Sequence, residues 1–146
     1  FTVNVKEGRG TIRDVEFPLQ LLQLLFGAER PELQVRDTLT ALERLTEAGI
    51  LAPAEANVWR EGYLFFREVE HRLQIMDDRP VRTLPEAPDA LRRLARSMGF
   101  PAAETFLAAY AAHSTAVREQ SERIYARLGG SEEAEDPLRT ALLFPE

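Results

Sequence analysis

Apolar residues recur every three or four positions along most of the chain, which is the period of an amphipathic α-helix. This pattern predicts helices from about Thr11 to Gly27, Val35 or Asp37 to Ala48, Pro53 to Met76, Asp89 to Met98 and Ala102 to Leu128. A glycine stands at or just past the end of most of these stretches, as expected where a helix stops. The chain is therefore predicted to be mainly helical.

The stripes also predict which side chains face the core. Pro18 lies inside the first stripe and has no backbone N–H, so we predict a kink or a split of the helix there. The positions expected to be buried are Ile12, Val15, Leu19, Leu22 and Phe26 in the first helix, Leu39, Leu42, Leu45 and Ala48 in the second, Val58, Phe65, Phe66, Val69, Leu73 and Met76 in the third, and Phe106, Tyr110, His113, Val117, Ile124 and Leu128 in the last.

The segment before the first helix has a different pattern. Thr2 to Lys6 is β-rich and alternates weakly, and Gly8 and Gly10 then mark a turn. A single strand is not stable alone, so its partner is expected to be missing from this chain or supplied by another molecule. The predicted fold is all-α: a helical bundle of about five helices with a short N-terminal β-strand stub.

Three parts follow from this pattern. Residues 1–10 are expected to form a strand and a turn, and residues 11–130 the helical bundle; the family resemblance given below implies that the first part joins the bundle to a missing domain. Residues 131–146 form an acidic linker and an apolar tail, of which Leu138 to Phe144 is apolar enough to dock on another surface. The start at Phe1 instead of Met suggests a piece of a longer chain.

Composition narrows the possible functions. The net charge of −6 disfavours non-specific nucleic-acid binding, which needs a basic surface. No long apolar run predicts a membrane span, and without cysteine there is no disulfide framework. Lys6 is the only lysine among 18 basic residues, so the chain carries its positive charge on arginines, which suit planar pairing with carboxylate or phosphate.

The turn at Gly8-Arg9-Gly10 allows two interpretations. Two glycines before a helix can leave backbone amides facing an anion, with Arg9 and Arg13 adding charge-assisted bonds. A plain turn with surface salt bridges explains the same residues. Asp14 and Glu16 form a D-x-E pair, but two positions apart on a helix they point about 200° from each other, so they are not expected to chelate a metal.

The stretch R-E-V-E-H-R-L-Q in the third helix is predicted to form a structural polar network that holds the helices in register. No Ser-His-Asp or Cys-His arrangement is present, and His113 is expected to be a core or boundary residue. No catalytic residue and no metal ligand is assigned. The predicted network consists of Arg67, Glu70, His71, Arg72 and Gln74.

Three stretches resemble one enzyme family. N-V-K-E-G-R-G-T-I-R-D-V-E-F at residues 4–17 resembles the K-x-G-x-G-G-I-R-E-I-E-F segment of glutamine synthetase adenylyltransferases. P-E-L-Q-V-R-D-T-L at residues 31–39 resembles the family's P-E-L-x-x-R-x-T-L, and residues 63–74 resemble Y-x-F-L-R-x-x-E-H-R-L-Q. The resemblance keeps its order from about residue 3 to residue 128. The chain departs from the pattern at Thr11, at Pro18 and at residues 78–82.

The resemblance implies a helical domain that follows a nucleotidyltransferase domain, shared in outline with PII uridylyltransferases. Members of the family add AMP to a tyrosine of glutamine synthetase and remove it by phosphorolysis. Their catalytic carboxylates lie in an upstream D-x-D stretch that this sequence lacks, so the chain alone is expected to be inactive and to hold no cofactor. The implied residues that bind nucleotide or form the domain seam are Lys6, Gly8, Arg9, Gly10, Arg13, Asp14 and Glu16.

Two classes of function remain open. As part of an enzyme, the chain would complete the active site of an adenylyltransferase that uses ATP and Mg²⁺ in the cytoplasm, with the upstream nucleotidyltransferase domain as its neighbour. As an interaction module, it would dock glutamine synthetase or the PII signal protein, or be the helical domain of a PII uridylyltransferase-like protein. The arginine-rich faces and the apolar tail motivate the second class.

Overall fold

The computed structural model describes residues 3–77 and 82–129, and within them the fold is all-α, as predicted. The helix boundaries lie close to those that the apolar pattern predicts. A short 3₁₀ turn, Pro31–Leu33, separates the first two helices and was not predicted. The helices are α1 (Ile12–Phe26), α2 (Thr38–Glu47), α3 (Pro53–Asp77), α4 (Pro88–Ser97) and α5 (Ala103–Arg127).

The two longest helices, α3 and α5, form the centre of the bundle. α1 packs against both, α2 packs on α1 and α3, and α4 packs on α3 and α5. Gly62 allows α3 and α5 to approach each other closely, because a Cβ at this position would lie 2.4 Å from Cγ2 of Val117 on α5. Trp59, Phe66 and Phe106 are fully buried around this crossing.

The predicted stripes face the core, with two exceptions at helix ends. Phe26 is 39% exposed and Met76 is 37% exposed. The last buried residue of α1 is Leu22 and that of α3 is Leu73, so the final turn of each helix extends past its packed length. Periodicity continues the stripe to the end of the helix but carries no information about where the neighbouring helix stops.

The expected β-strand stub is replaced by a single β-bridge. Asn4 and Thr83 form an isolated antiparallel bridge, and no longer ladder occurs in the part of the chain that the structure describes. The backbone N–H of Val5 donates to the carbonyl of Arg82 at 2.7 Å, and that of Leu84 donates to the carbonyl of Val3 at 2.9 Å. The prediction of a partner from outside the chain was therefore wrong, because the segment after α3 supplies it.

Pro18 does not split α1, which runs through it without a break. A proline at this position cannot donate to the carbonyl four residues earlier, which belongs to Asp14. The hydroxyl of Ser121 on α5 supplies that missing donor and lies close to both the Asp14 carbonyl and the Val117 carbonyl. Ser121 is 4% exposed, so this contact is shielded from water. The neighbouring helix thus compensates for the proline.

We predict that Ser121→Ala destabilises the protein by about 1–3 kcal/mol, because the buried Asp14 carbonyl is left without a donor. In the Pro18→Ala background the backbone N–H of residue 18 restores the intrahelical bond. Ser121→Ala should therefore lower the free energy of unfolding much less in that background. Chemical denaturation of the single and double variants measures this coupling.

The matched control is Ser97→Ala. Ser97 is an exposed residue of α4, and its hydroxyl donates to the Leu94 carbonyl of the same helix. This variant should have little effect in either background. Equal costs of Ser121→Ala with and without Pro18 would contradict the assignment of this bond.

Candidate functional site

The charged segment of residues 3–16, which we call the joint, leads from the β-bridge through a turn into α1. Asn4 organises the turn: its Oδ1 accepts from the backbone N–H of Lys6 at 2.9 Å and of Glu7 at 2.8 Å. Its backbone carbonyl accepts from the N–H of Gly8 at 3.0 Å. Asparagine is favoured at such positions because its short side chain bonds to the backbone a few residues onward. The joint therefore has a fixed conformation set by local sequence.

The backbone amides of the joint are used within the chain. The N–H of Arg13 donates to the Lys6 carbonyl at 2.9 Å, and the N–H of Gly10 donates to Oδ2 of Asp14 at 2.5 Å. From Val5 to Arg13, the amide of Arg9 is the one without an acceptor among the residues described. An anion at the joint would therefore meet side chains and not a row of open amides.

Gly10 holds the turn against α5. Its φ is +71°, and a Cβ there would lie 2.3 Å from the backbone oxygen of Ser114. The Ser114 hydroxyl donates to the Arg9 carbonyl at 3.2 Å. Thr11, which stands where the resembling family has a second glycine, is 1% exposed and donates its hydroxyl to the Gly8 carbonyl at 2.5 Å. Residues 10 and 11 therefore contact the bundle itself.

Arg13 is the best positioned cation of the joint. Its Nε lies 3.8 Å from Oδ1 of Asp14, and its guanidinium carbon lies 5.7 Å from the centre of the Phe17 ring. One terminal nitrogen is 3.4 Å from the carbonyl of Glu7. About a third of the side chain, 34%, is exposed. At 3.8 Å the Asp14 contact is an ion pair without a hydrogen bond, and Nε of Arg13 is buried without a hydrogen-bond partner among the described residues. A guanidinium that has these neighbours and is partly exposed can still offer its terminal nitrogens to an anion.

Lys6 and Arg9 differ from Arg13 in their surroundings. Arg9 is 71% exposed at the side chain and lies 3.9 Å from Oε1 of Glu122 on α5, a distance and exposure at which an ion pair contributes little. Lys6 is half-buried and lies near the carboxylate of Glu16. The joint thus presents one ordered guanidinium, one exposed guanidinium and one partly covered ammonium.

Asp14 and Glu16 have separate roles, in agreement with their helical spacing. Asp14 is 6% exposed and bonds to the turn through Gly10. Glu16 is half-buried, and burial raises its pKa; Lys6 and Arg67 oppose this shift, while the like charge of Glu70 adds to it. Among residues 3–77 and 82–129, no cluster of three or more His, Asp or Glu side chains could hold a metal ion.

Part of the predicted polar network adjoins the joint. Glu70 is 7% exposed; its Oε1 accepts from Arg67 at 2.9 Å, and its Oε2 lies 3.8 Å from Nε of Arg82. Since Glu16 is influenced by both Arg67 and Glu70, the joint and this part of α3 form one charged surface. The sequence pattern of α3 could not predict that Arg82 takes part in this surface, because Arg82 lies outside α3 and the β-bridge brings it there.

The other network residues lie apart from that surface. Arg72 pairs with Glu68 of its own helix at 2.7 Å, as the one-turn spacing indicates. His71 is exposed and Gln74 is half-buried, and neither makes a side-chain hydrogen bond to another residue of the described ranges. His113 stacks on Phe65 with ring centres 4.4 Å apart, and burial lowers its pKa. The predicted tail from Leu138 to Phe144 lies outside the described residues.

Comparison with known proteins identifies the family to which this helical domain is related. The family model described as GlnD PII-uridylyltransferase matches residues 1–125. A bifunctional glutamine synthetase adenylyltransferase/adenylyl-removing enzyme of Aromatoleum aromaticum is 40% identical over 122 residues, which is 84% of this chain and 13% of the relative. The proteins of the same description from Bradyrhizobium diazoefficiens and Chromobacterium violaceum are each 38% identical, over 96% and 92% of this chain.

The chain belongs to the family that this model describes, GlnD PII-uridylyltransferase, and it is similar to glutamine synthetase adenylyltransferase/adenylyl-removing enzymes, as its sequence motifs indicate. It spans 13–15% of the length of these three relatives. None of the helices within the described ranges is both long and apolar enough to cross a membrane.

We predict that Gly10→Ala destabilises the protein by about 2–5 kcal/mol, since it adds the strain of a left-handed backbone to overpacking against Ser114. Gly99→Ala is the matched control: its φ is +88°, but a Cβ there would meet open space. It should cost only the backbone strain, about 1–2 kcal/mol. Thermal and urea unfolding of both variants measure the difference, and equal costs would refute the contact with α5.

We predict that NMR titration of the Glu16 carboxyl gives a pKa above the ordinary value for glutamate. Glu70→Gln should lower this pKa by removing a like charge, and Lys6→Gln should raise it further. The folded state then binds this proton more tightly than the unfolded chain does. Ionised Glu16 therefore reduces stability as the pH rises from its ordinary pKa through its folded-state pKa.

The variant Glu16→Gln should lack this component of the pH dependence, measured as the free energy of unfolding between acidic and neutral pH. Shifts of the same sign in Glu70→Gln and Lys6→Gln would show that at least one of these charges does not act on Glu16 as the structure indicates.

Proposed function

We propose that this chain is the helical domain of a glutamine synthetase adenylyltransferase and that its joint contributes cations to the active site of an upstream nucleotidyltransferase domain. The reaction supported would be AMP transfer to a glutamine synthetase tyrosine or phosphorolytic removal of that AMP. The observation that carries the proposal is the guanidinium of Arg13, which lies beside Asp14, the Phe17 ring and the Glu7 carbonyl and is partly exposed.

Charge is the contribution that such a joint can make to phosphoryl chemistry. Transfer of a nucleotidyl group develops negative charge on phosphate oxygens, and cations fixed before the reaction stabilise that charge without reorganisation. Arg13 would pair with a phosphate oxygen, and Lys6 would add positive charge beside it. Because the amides of the joint bond within the chain, the phosphate contact falls to these side chains.

The same proposal assigns the cofactors to the complete enzyme. ATP would be the AMP donor, and its phosphates are acceptors that suit Arg13. Mg²⁺ would be held by the carboxylates of the upstream D-x-D stretch that the family resemblance implies. We place the complete enzyme in the cytoplasm, with glutamine synthetase as its protein substrate and the PII signal protein as a regulatory partner.

A second candidate function, docking of glutamine synthetase, has a separate observation in its favour. Leu24 is 53% exposed, Leu25 50% and Phe26 39%, so three consecutive apolar side chains are open to solvent at the end of α1. Leu24 also lines a groove of about 620 Å³, together with Gln20, Gln23 and Val35. Apolar patches of this kind often mark interfaces. This surface lies at the opposite end of α1 from the joint.

We predict that Arg13→Ala in the full-length enzyme lowers nucleotidyl transfer, its phosphorolytic reversal or both by about 10- to 100-fold, the value of one charge-assisted hydrogen bond. The melting temperature should change little, because the side chain is partly exposed. Turnover of adenylylated and unmodified glutamine synthetase by the purified enzyme measures the effect.

Arg92→Ala is the matched control, because Arg92 is an exposed arginine on α4 that pairs with Asp89 within its own helix. It should leave both activities unchanged. Normal turnover by a folded Arg13→Ala enzyme would refute the role of the joint. Loss of activity in Leu25→Gln but not in Arg13→Ala would favour the docking function instead.

A further inference from the structure

The last turn of α1 carries an apolar surface that the rest of the bundle leaves open. Leu24, Leu25 and Phe26 are exposed, whereas Leu21 and Leu22, about one turn earlier, are buried. The change occurs within a single helix whose apolar stripe has not ended. These three side chains therefore continue the packed face of α1, and they are not apolar residues scattered over a surface. We call Leu24, Leu25 and Phe26 the apolar end.

The side of α1 on which Leu25 lies is the side that packs on α5. The Asp14 carbonyl accepts from Ser121 of α5, and Leu25 follows Asp14 by about three full turns, so both lie on one side of the helix. Pro18 and Leu21 lie between them on this side and are buried. Leu25 thus occupies a position that α5 would cover if α5 were longer.

α5 stops before it reaches this position. The Arg9 carbonyl, just before α1, accepts from Ser114. In the first turn of α1, the Asp14 carbonyl accepts from Ser121, so the two helices run in the same direction. From the level of this second bond, α1 continues for about 16 Å to the middle of the apolar end, whereas α5 continues for about 9 Å to Arg127. The chain that follows α5 therefore starts beside an uncovered apolar surface.

The sequence after α5 contains an apolar segment at a suitable distance. Residues 138–144, which lie outside the described ranges, include the large apolar residues Leu138, Leu142, Leu143 and Phe144. Residues 130–137 precede them and would reach about 26 Å if extended. The apolar end lies about 7 Å beyond the end of α5 along the helix axis, and about 10 Å to the side, the usual distance between packed helices. The linker is long enough to span this distance.

Other exposed apolar side chains lie farther from the end of α5. Leu107 lies about 30 Å before it along the same helix. Glu55, near the start of α3, pairs with Arg127, so α3 begins beside the end of α5 and exposed Ile75 lies about 30 Å away along α3. Leu64 stands alone in the middle of α3. Within residues 3–77 and 82–129, the apolar end is the nearest group of exposed large apolar side chains.

We propose that residues 138–144 fold back onto the apolar end of their own chain and cover Leu25, with Leu24 and Phe26 at the edges of the contact. The segment continues the cover that α5 gives to the earlier turns of α1. This inference does not depend on the role proposed for Arg13. It bears on the docking function, because the segment and a docked protein would compete for the same three side chains.

Paramagnetic relaxation measures this contact in the whole 146-residue chain. The chain has no cysteine, so Thr140→Cys provides a single attachment site for a nitroxide label at a polar position of the segment. In the ¹H–¹⁵N spectrum, the label should strongly broaden the amide signals of residues 24–28, and reduction of the nitroxide should restore them. The signals of residues 105–109, around exposed Leu107, should keep their intensity.

Two variants in the labelled background test the two sides of the contact. Leu25→Gln removes an exposed apolar side chain from the apolar end, and Leu142→Asp places a charge in the segment without changing the bundle. Each should restore the intensity of the signals of residues 24–28. Leu107→Gln is the matched control, because it makes the same exchange at an exposed position near the other end of α5. It should leave the broadening unchanged.

Three results would overturn the proposal. The first is full intensity at residues 24–28 in the labelled chain, and the second is unchanged broadening in Leu25→Gln. The third is the same broadening when ¹⁵N-labelled chain without nitroxide is mixed with nitroxide-labelled chain without ¹⁵N. That result would mean that a second copy supplies the segment. If Leu25→Gln fails to fold, Leu142→Asp against Leu107→Gln still decides, since neither changes the apolar end.

Discussion

The contact between the Ser121 hydroxyl and the Asp14 carbonyl is the constraint on which the position of the joint depends. Pro18 leaves this carbonyl without its intrahelical donor, and α5 provides one. The side chain of the same aspartate accepts from Gly10 and lies near Arg13. One residue therefore connects the turn, the first turn of α1 and the central helix α5. A small rotation of α1 would break both of these buried contacts, so the orientation of the joint on the bundle is well defined.

The internal use of backbone amides determines which groups of the joint are available to a ligand. Helix N-termini usually offer open N–H groups to anions. Here the carbonyls of Val5 and Lys6 accept from the first N–H groups of α1, so the segment preceding the helix caps it. What remains at the surface is side-chain charge on a rigid backbone.

Local sequence was sufficient to predict the helices, because apolar spacing and helix-ending glycines such as Gly49 and Gly99 are local signals. It was not sufficient for contacts between distant residues. The bond that compensates for Pro18 joins Asp14 to a serine 107 residues further along the chain, and the partner of the N-terminal segment follows α3. In the candidate site, too, local geometry was predictable from the sequence and contacts between helices were not. Spacing correctly separated Asp14 from Glu16, but the proximity of Glu16 to Arg67 and Glu70 requires the packed arrangement of α1 and α3.

The β-bridge also has a mechanical consequence. Residues 3–5 are attached to residues 82–84 by two short backbone bonds, and Arg82 is in turn paired with buried Glu70 in the middle of α3. A displacement applied at Val3 is therefore passed directly to the segment between α3 and α4, across a separation of about eighty residues in sequence. A force applied at Val3 therefore loads the two backbone bonds of the bridge directly, and the ion pair of Arg82 connects this bridge to α3.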